Sequence, residues 1–149
     1  MALLKICKPF DALTVYELYD ALQLRSDVFV VEQNCVFLDT DGKDQLCHHL
    51  LLYQQHALVA YARLVPPGLI YDQMSIGRII TGGVIRGTGV GKLLVDSAIQ
   101  ECFRLFGKGD IKIGAQLYAK GFYETFGFVQ TGEVYDEDGI EHIKMIRSV

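Results

Sequence analysis

The pattern of apolar and polar positions divides this chain into alternating strands and helices. Leu3 to Lys8 is a short strand candidate closed by Pro9. Thr14-Val15-Tyr16-Glu17 then has the form of a capping box, so a helix begins there. Val15, Leu18, Leu22 and Phe29 fall at helical spacing on one face, with Arg25 on the same stripe. The run Val28 to Gln33 turns abruptly from apolar to polar and reads as that helix passing into a second short one. Leu50 to Tyr53 and Ala57 to Val65, joined at Gln54 and Gln55, predict an antiparallel hairpin ended by Pro66-Pro67-Gly68. Ile76 to Ile80 is the next strand. Leu93, Leu94, Ala98, Ile99 and Phe103 mark a helix that stops near Gly107 and Gly109. Ile111 to Ala115 is a strand, and Ala119 to Phe126 is a short helix stopped at Gly127. Phe128 to Val134 and Glu141 to Ile146 form a hairpin about Asp136-Glu137-Asp138-Gly139. The alternation predicts one α/β (α+β) domain over residues 1–149.

The chemistry concentrates between Ser75 and Lys92, SIGRIITGGVIRGTGVGK. An apolar strand, a glycine-rich turn and a helix in succession present free backbone N–H groups to a phosphate. Glycine at 87, 89 and 91 lets a ligand approach that backbone closely. Two common phosphate motifs fail here. A Walker loop needs glycine at Arg86 and Ser or Thr at Leu93, and a dinucleotide fingerprint needs glycine at Lys92 or Leu94.

Composition narrows the classes. Half the residues are hydrophobic, which excludes a disordered chain. Net charge is −4, with basic residues spread rather than massed, which weighs against nucleic-acid binding. No apolar run reaches the length of a membrane span, and no signal-peptide pattern opens the chain. Cys7, Cys35, Cys47 and Cys102 form no metal spacing, so a reduced, cytoplasmic compartment is expected. Asp39-Thr40-Asp41-Gly42-Lys43-Asp44 departs from an EF-hand in its glycine and in Leu50 at the twelfth position, and reads as a solvated acidic turn. His48 and His49 lack a second ligand cluster, and no metal is expected.

Arg86-x-x-Gly89-x-Gly91 between strand and helix resembles motif A of the GNAT superfamily of N-acetyltransferases. Gln116, Ala119 and Tyr123, followed by Gly127-Phe128, match that family's polar residue, alanine and tyrosine in spacing and order. Leu24-Arg25-Ser26-Asp27-Val28-Phe29-Val30-Val31-Glu32-Gln33, then Asp41-Gly42 and Asp44, Ile76-Gly77-Arg78, and Glu137-Asp138-Gly139-Ile140 with His142-Ile143 and Met145 look like the ElaA-like bacterial subgroup. Departures are Gln116 for the commoner Asn, Gly82-Gly83 in a loop usually less flexible, and Glu141 where proline is frequent.

The resemblance implies a twisted mixed, mainly antiparallel sheet of about six to seven strands flanked by about four helices. That sheet would splay between the Ile76–Ile80 and Ile111–Ala115 strands to hold acetyl-CoA. Ile79, Ile80 and Thr81 would pair with the pantetheine arm, a form of strand addition. Arg86, Gly87, Thr88, Gly89, Val90, Gly91 and Lys92 would hold the pyrophosphate, and Gln116 would add a cofactor contact. Transfer to a primary amine of a small molecule or peptide needs a proton acceptor, for which Glu32 is the candidate, and a donor to the leaving sulfur, for which Tyr123 is. A surface glutamate and a half-buried core tyrosine are the plainer readings of those two residues. The resemblance also implies a homodimer. A non-catalytic acyl-CoA-binding or interaction module on the same fold is the alternative to an enzyme.

Overall fold

A parallel bridge between Met74 and Ile111 is where the two sheets of this protein meet. The structure, a computed structural model, describes residues 2–149 apart from the side chain of Val84. The first sheet orders β1 (Leu4–Pro9), β2 (His48–Gln54), β3 (Ala57–Val65) and β4 (Ser75–Thr81), all antiparallel. The second orders β5 (Ile111–Gln116), β7 (Ile140–Arg147) and β6 (Phe128–Glu137), again antiparallel. Beyond the bridge, where Lys112 N donates to Met74 O at 3.0 Å, β4 and β5 diverge, as expected.

Three α-helices complete the fold: α1 (Val15–Arg25), α2 (Val90–Phe106) and α3 (Lys120–Glu124). α2 covers one face of both sheets, burying Leu94, Val95 and Ala98 against Leu52, Ile76, Ile113 and Met145, whereas Leu93, expected on the core face, is 46% exposed. The opposite face of the first sheet packs Leu51, Tyr61 and Ile80 against Ala21 of α1 and Val28. The capping box at the start of α1 is present: Glu17 N donates to Thr14 Oγ1 at 3.0 Å and Thr14 N to Glu17 Oε1 at 2.8 Å. The buried stripe of α1 differs from the expected one. Ala21 and Val28 are buried beside the expected Arg25, Leu18, Leu22 and Phe29 are half-buried, and Val15, in the first turn, is 75% exposed.

After α1 the backbone widens into a π-helical turn, Ser26–Glu32, with Gln33 N donating to Val28 O and Cys35 N to Val30 O across five residues. The acidic segment behind it is not a solvated turn. Asp39 and Asp44 are buried, and each bridges two arginines. Asp39 takes Arg25 Nε and Arg78 Nε at 2.8 Å each, and Asp44 takes Arg25 Nη1 and Arg63 Nη1 at 2.9 Å each. Asp41 adds a two-pronged pair to Arg63. The sequence shows three carboxylates in a hydrophilic run, but their partners lie on α1, β3 and β4.

This network fixes a bulge in β4. Arg63 pairs with Gly77 and Tyr61 with Ile80, so Ala62 alone opposes Arg78 and Ile79. Arg78 takes a left-handed φ of 49°, unusual for a residue with a Cβ, and is held there by its bonds to Asp39. The bulge aims the last residues of β4 into the gap between the sheets.

Candidate active site

The glycine loop folds as a cradle at the start of α2. Gly87 (φ 80°) and Gly89 (φ 85°) are left-handed, a conformation glycine enters without strain, and Gly89 is the N-cap of α2. The first N–H groups of α2 have no carbonyl ahead of them in the helix, so they and the helix dipole favour an anion. A cleft of about 510 Å³ opens there, lined by residues 79–81, Arg86, Gly87, Gly89, Gly91, Lys92, Tyr118, Phe122 and Tyr123. Thr88 and Val90 do not line it. The Thr88 hydroxyl donates to Ile85 O, and Val90 is buried in the core, which leaves both with main-chain N–H groups to offer.

Arg86 points across this loop. Its Nε and Nη2 donate to Thr81 O at 3.3 and 3.1 Å, and its Nη1 and Nη2 grip both carboxylate oxygens of Glu32. The hydrogen bonds from Arg86 hold the Glu32 carboxyl below the usual carboxylate range. Glu32 and Arg86, placed apart in function by their positions in sequence, are thus brought together.

On the other side of the gap lies a cleft of about 460 Å³. It shares residues 79–81, Arg86, Tyr118 and Tyr123 with the first, so the two are halves of one passage between β4 and β5. Gln116, at the end of β5, donates from Nε2 to Gln33 Oε1 at 3.1 Å, which closes part of the mouth. Tyr123 is 9% exposed, with its ring edge-on to Phe128 and Phe122 at 6.1 and 5.3 Å. Burial raises its phenol well above the ordinary value, so it stays protonated at neutral pH and can donate.

Sequence reasoning missed one wall of this second cleft, formed by Glu137, Asp138, Ile140 and His142. The β6–β7 strands run further than expected, to Glu137 and from Ile140, and only Asp138 and Gly139 turn, with φ of 53° and 81°. Cys35 Sγ donates to Asp138 O at 3.3 Å, docking the hairpin tip on the segment after the π-helical turn. The pairing of Gln116 with His142 is the signal that could have found this wall, and it exists only in the register of β5 and β7. Among the described residues no group of three His, Cys, Asp or Glu side chains is placed to hold a metal ion.

A splayed sheet with a glycine cradle at its edge is shared with known proteins. The acetyltransferase (GNAT) domain family matches residues 30–149. ElaA of Escherichia coli is 42% identical over 139 residues, covering 92% of this chain and 91% of ElaA. A relative from Synechocystis sp. is 43% identical over 138 residues, covering 92% of this chain and 90% of its own. The crystal structure of an acyl-CoA N-acyltransferase from Pseudomonas aeruginosa superposes with a TM-score of 0.95 at 40% identity, covering 99% of this chain and all of that one. The crystal structure of Escherichia coli ElaA superposes at 0.89 with 37% identity, covering 99% of this chain and 100% of its own. With the fold, the loop and these relatives in agreement over nearly its whole length, this chain belongs to the GNAT acetyltransferase family.

Proposed function

We propose that this protein is an acyl-CoA-dependent N-acyltransferase that moves an acetyl group from acetyl-CoA to a primary amine by direct attack in a ternary complex. The observation that carries the reading is the continuous passage between β4 and β5, with an anion cradle on one side and a cleft bearing carboxylates and a histidine on the other. Main-chain N–H groups of residues 87–92 suit the pyrophosphate, with charge from Arg86 and Lys92. The edge of β4 at Ile79, Ile80 and Thr81 offers main-chain groups to an amide-bearing arm, and Gln116 stands at the opposite edge. Tyr123, protonated and lining both halves, is placed to give a proton to a leaving thiolate.

An amine of pKa about 10.4 costs about 4.6 kcal/mol to deprotonate at pH 7, so the acceptor side needs a base. Calorimetry with CoA and thiol release from acetyl-CoA over a panel of amines test the reading. CoA binding with no thiol release for any amine would favour a non-catalytic acyl-CoA-binding module. Assembly as a homodimer is part of the proposal, supported by exposed Val36, Leu38 and Leu46, and light scattering showing a monomer at micromolar concentration refutes it. A reducing compartment, the cytoplasm, suits the four free cysteines.

A further inference from the structure

We propose that the imidazole of His142, set by Ile140 and Glu137, takes the proton from the acceptor amine. This rests on the acyltransferase reading above. His142 sits on β7 directly across from Gln116, the last residue of β5, and lines the acceptor half of the passage together with Tyr123. Its Nδ1 lies 2.7 Å from Ile140 O. A carbonyl only accepts, so Nδ1 carries the hydrogen, and Nε2 is the nitrogen at which the ring takes up or releases a proton. Nε2 is 3.3 Å from Glu137 Oε2 on β6. An ammonium entering beside this pair meets a carboxylate that attracts it and a nitrogen that can take its proton. The imidazolium then formed is paired with Glu137, whose side chain is 56% exposed and can shift to admit the amine.

Three other charged groups of the cleft, Glu32, Arg78 and Arg86, are paired within the protein. Glu32 has both oxygens on Arg86, and Arg78 is held by Asp39. Around His142 itself stand the Tyr135 ring at 5.8 Å on β6 and, on that ring's face, Lys144 Nζ at 4.6 Å. Glu141 is its chain neighbour, and Asp138 is in the adjoining turn.

The ammonium gives one proton to Nε2, which passes it to solvent. The freed nitrogen lone pair forms the C–N bond to the thioester carbonyl carbon, and the C–S bond breaks. The sulfur takes the proton of the Tyr123 hydroxyl, which is replaced by the second proton lost from nitrogen.

The test uses the full chain with ethanolamine, putrescine, phenethylamine and lysine methyl ester as probe amines and acetyl-CoA as donor. His142→Gln and His142→Ala should keep acetyl-CoA affinity and lower kcat/KM by about 10²–10⁴-fold, the range for a general base. In both, the acidic limb of the pH profile of kcat/KM should disappear. Added imidazole should restore part of the His142→Ala rate, which a purely structural role would not allow. Glu137→Gln should lower kcat/KM less than loss of the imidazole. A folded His142→Gln enzyme with the wild-type rate and acidic limb overturns the inference and leaves the acyltransferase reading standing. Absence of thiol release by the wild-type chain with every amine overturns both.

Discussion

Arg86 and Glu32 form a two-pronged ion pair that ties the glycine loop to the turn after α1. The arginine proposed to meet a pyrophosphate is thereby neutralised by a carboxylate that lines the second cleft. Both groups are partly exposed, so the pair can exchange partners at small cost. Glu32→Gln frees the guanidinium for an incoming anion and should tighten CoA binding by about two- to fivefold, the scale of an exposed pair. Arg86→Ala should weaken it. Calorimetry at fixed ionic strength decides, and unchanged affinity in Glu32→Gln would remove the pair from any part in cofactor binding.

Gly91 offers a cleaner probe of the cradle than Gly89. A Cβ at Gly91 meets Phe122 at 3.8 Å and Thr81 at 4.0 Å, ordinary contacts, so Gly91→Val should fold. Its side chain would stand in the cofactor half of the passage and should weaken CoA binding by roughly 10–100-fold, the worth of one charge-assisted hydrogen bond. Gly89→Val places a branched residue at φ 85° and should also lose about 1–2 kcal/mol of stability. Circular dichroism and calorimetry on both variants separate the two effects.

Tyr123→Phe keeps the edge-on packing against Phe128 and removes only the hydroxyl. Melting temperature and acetyl-CoA affinity should be near wild type, while the chemical step should slow by roughly 10²–10⁴-fold. The measurement needs an amine for which chemistry, not product release, limits turnover. A wild-type rate under that condition would assign Tyr123 to packing alone.

Stability should fall on acidification in two stages. His49 is buried, donates from Nε2 to Asp44 O at 2.9 Å and accepts from Tyr61 Oη at 2.6 Å; burial lowers its pKa. The unfolded chain therefore takes up a proton first, and stability is lost as pH drops below about 6.5. Burial alone would raise the carboxyls of Asp41 and Asp44, but Arg63 for both, and Arg25 for Asp44, hold them below the usual range. Their contribution is present above about pH 4 and disappears as pH falls through their folded-state values. Asp39→Ala should cost about 3–5 kcal/mol at neutral pH, because Arg25 and Arg78 lose a shared partner. Urea melts across pH 3–8 test both claims.

The glycine-loop half of the passage was more legible in the sequence than the half lined by His142 and Glu137. Its chemistry is main-chain chemistry, and glycines at 87, 89 and 91 ahead of a helical period announce a cradle wherever they occur. The opposite wall is built from His142 and Glu137, which in the sequence are part of a family resemblance and gain a chemical setting only when β7 is registered against β5. Asp39, Asp41 and Asp44 misled for the same reason: a polar run looks solvated unless the arginines that bury it are known.

Features decided within a few residues are those the chain alone specified. The capping box at Thr14 and Glu17, the period of α2 and the glycine turn before it depend on neighbours three or four positions away. Contacts that make the site span far more chain. Arg25 meets Asp39 across 14 residues, Glu32 meets Arg86 across 54, Gln33 meets Gln116 across 83 and Cys35 meets Asp138 across 103. No local preference encodes such pairs. They follow from the order and register of the strands and from the divergence of β4 and β5 beyond Met74 and Ile111, which packing of the whole domain sets.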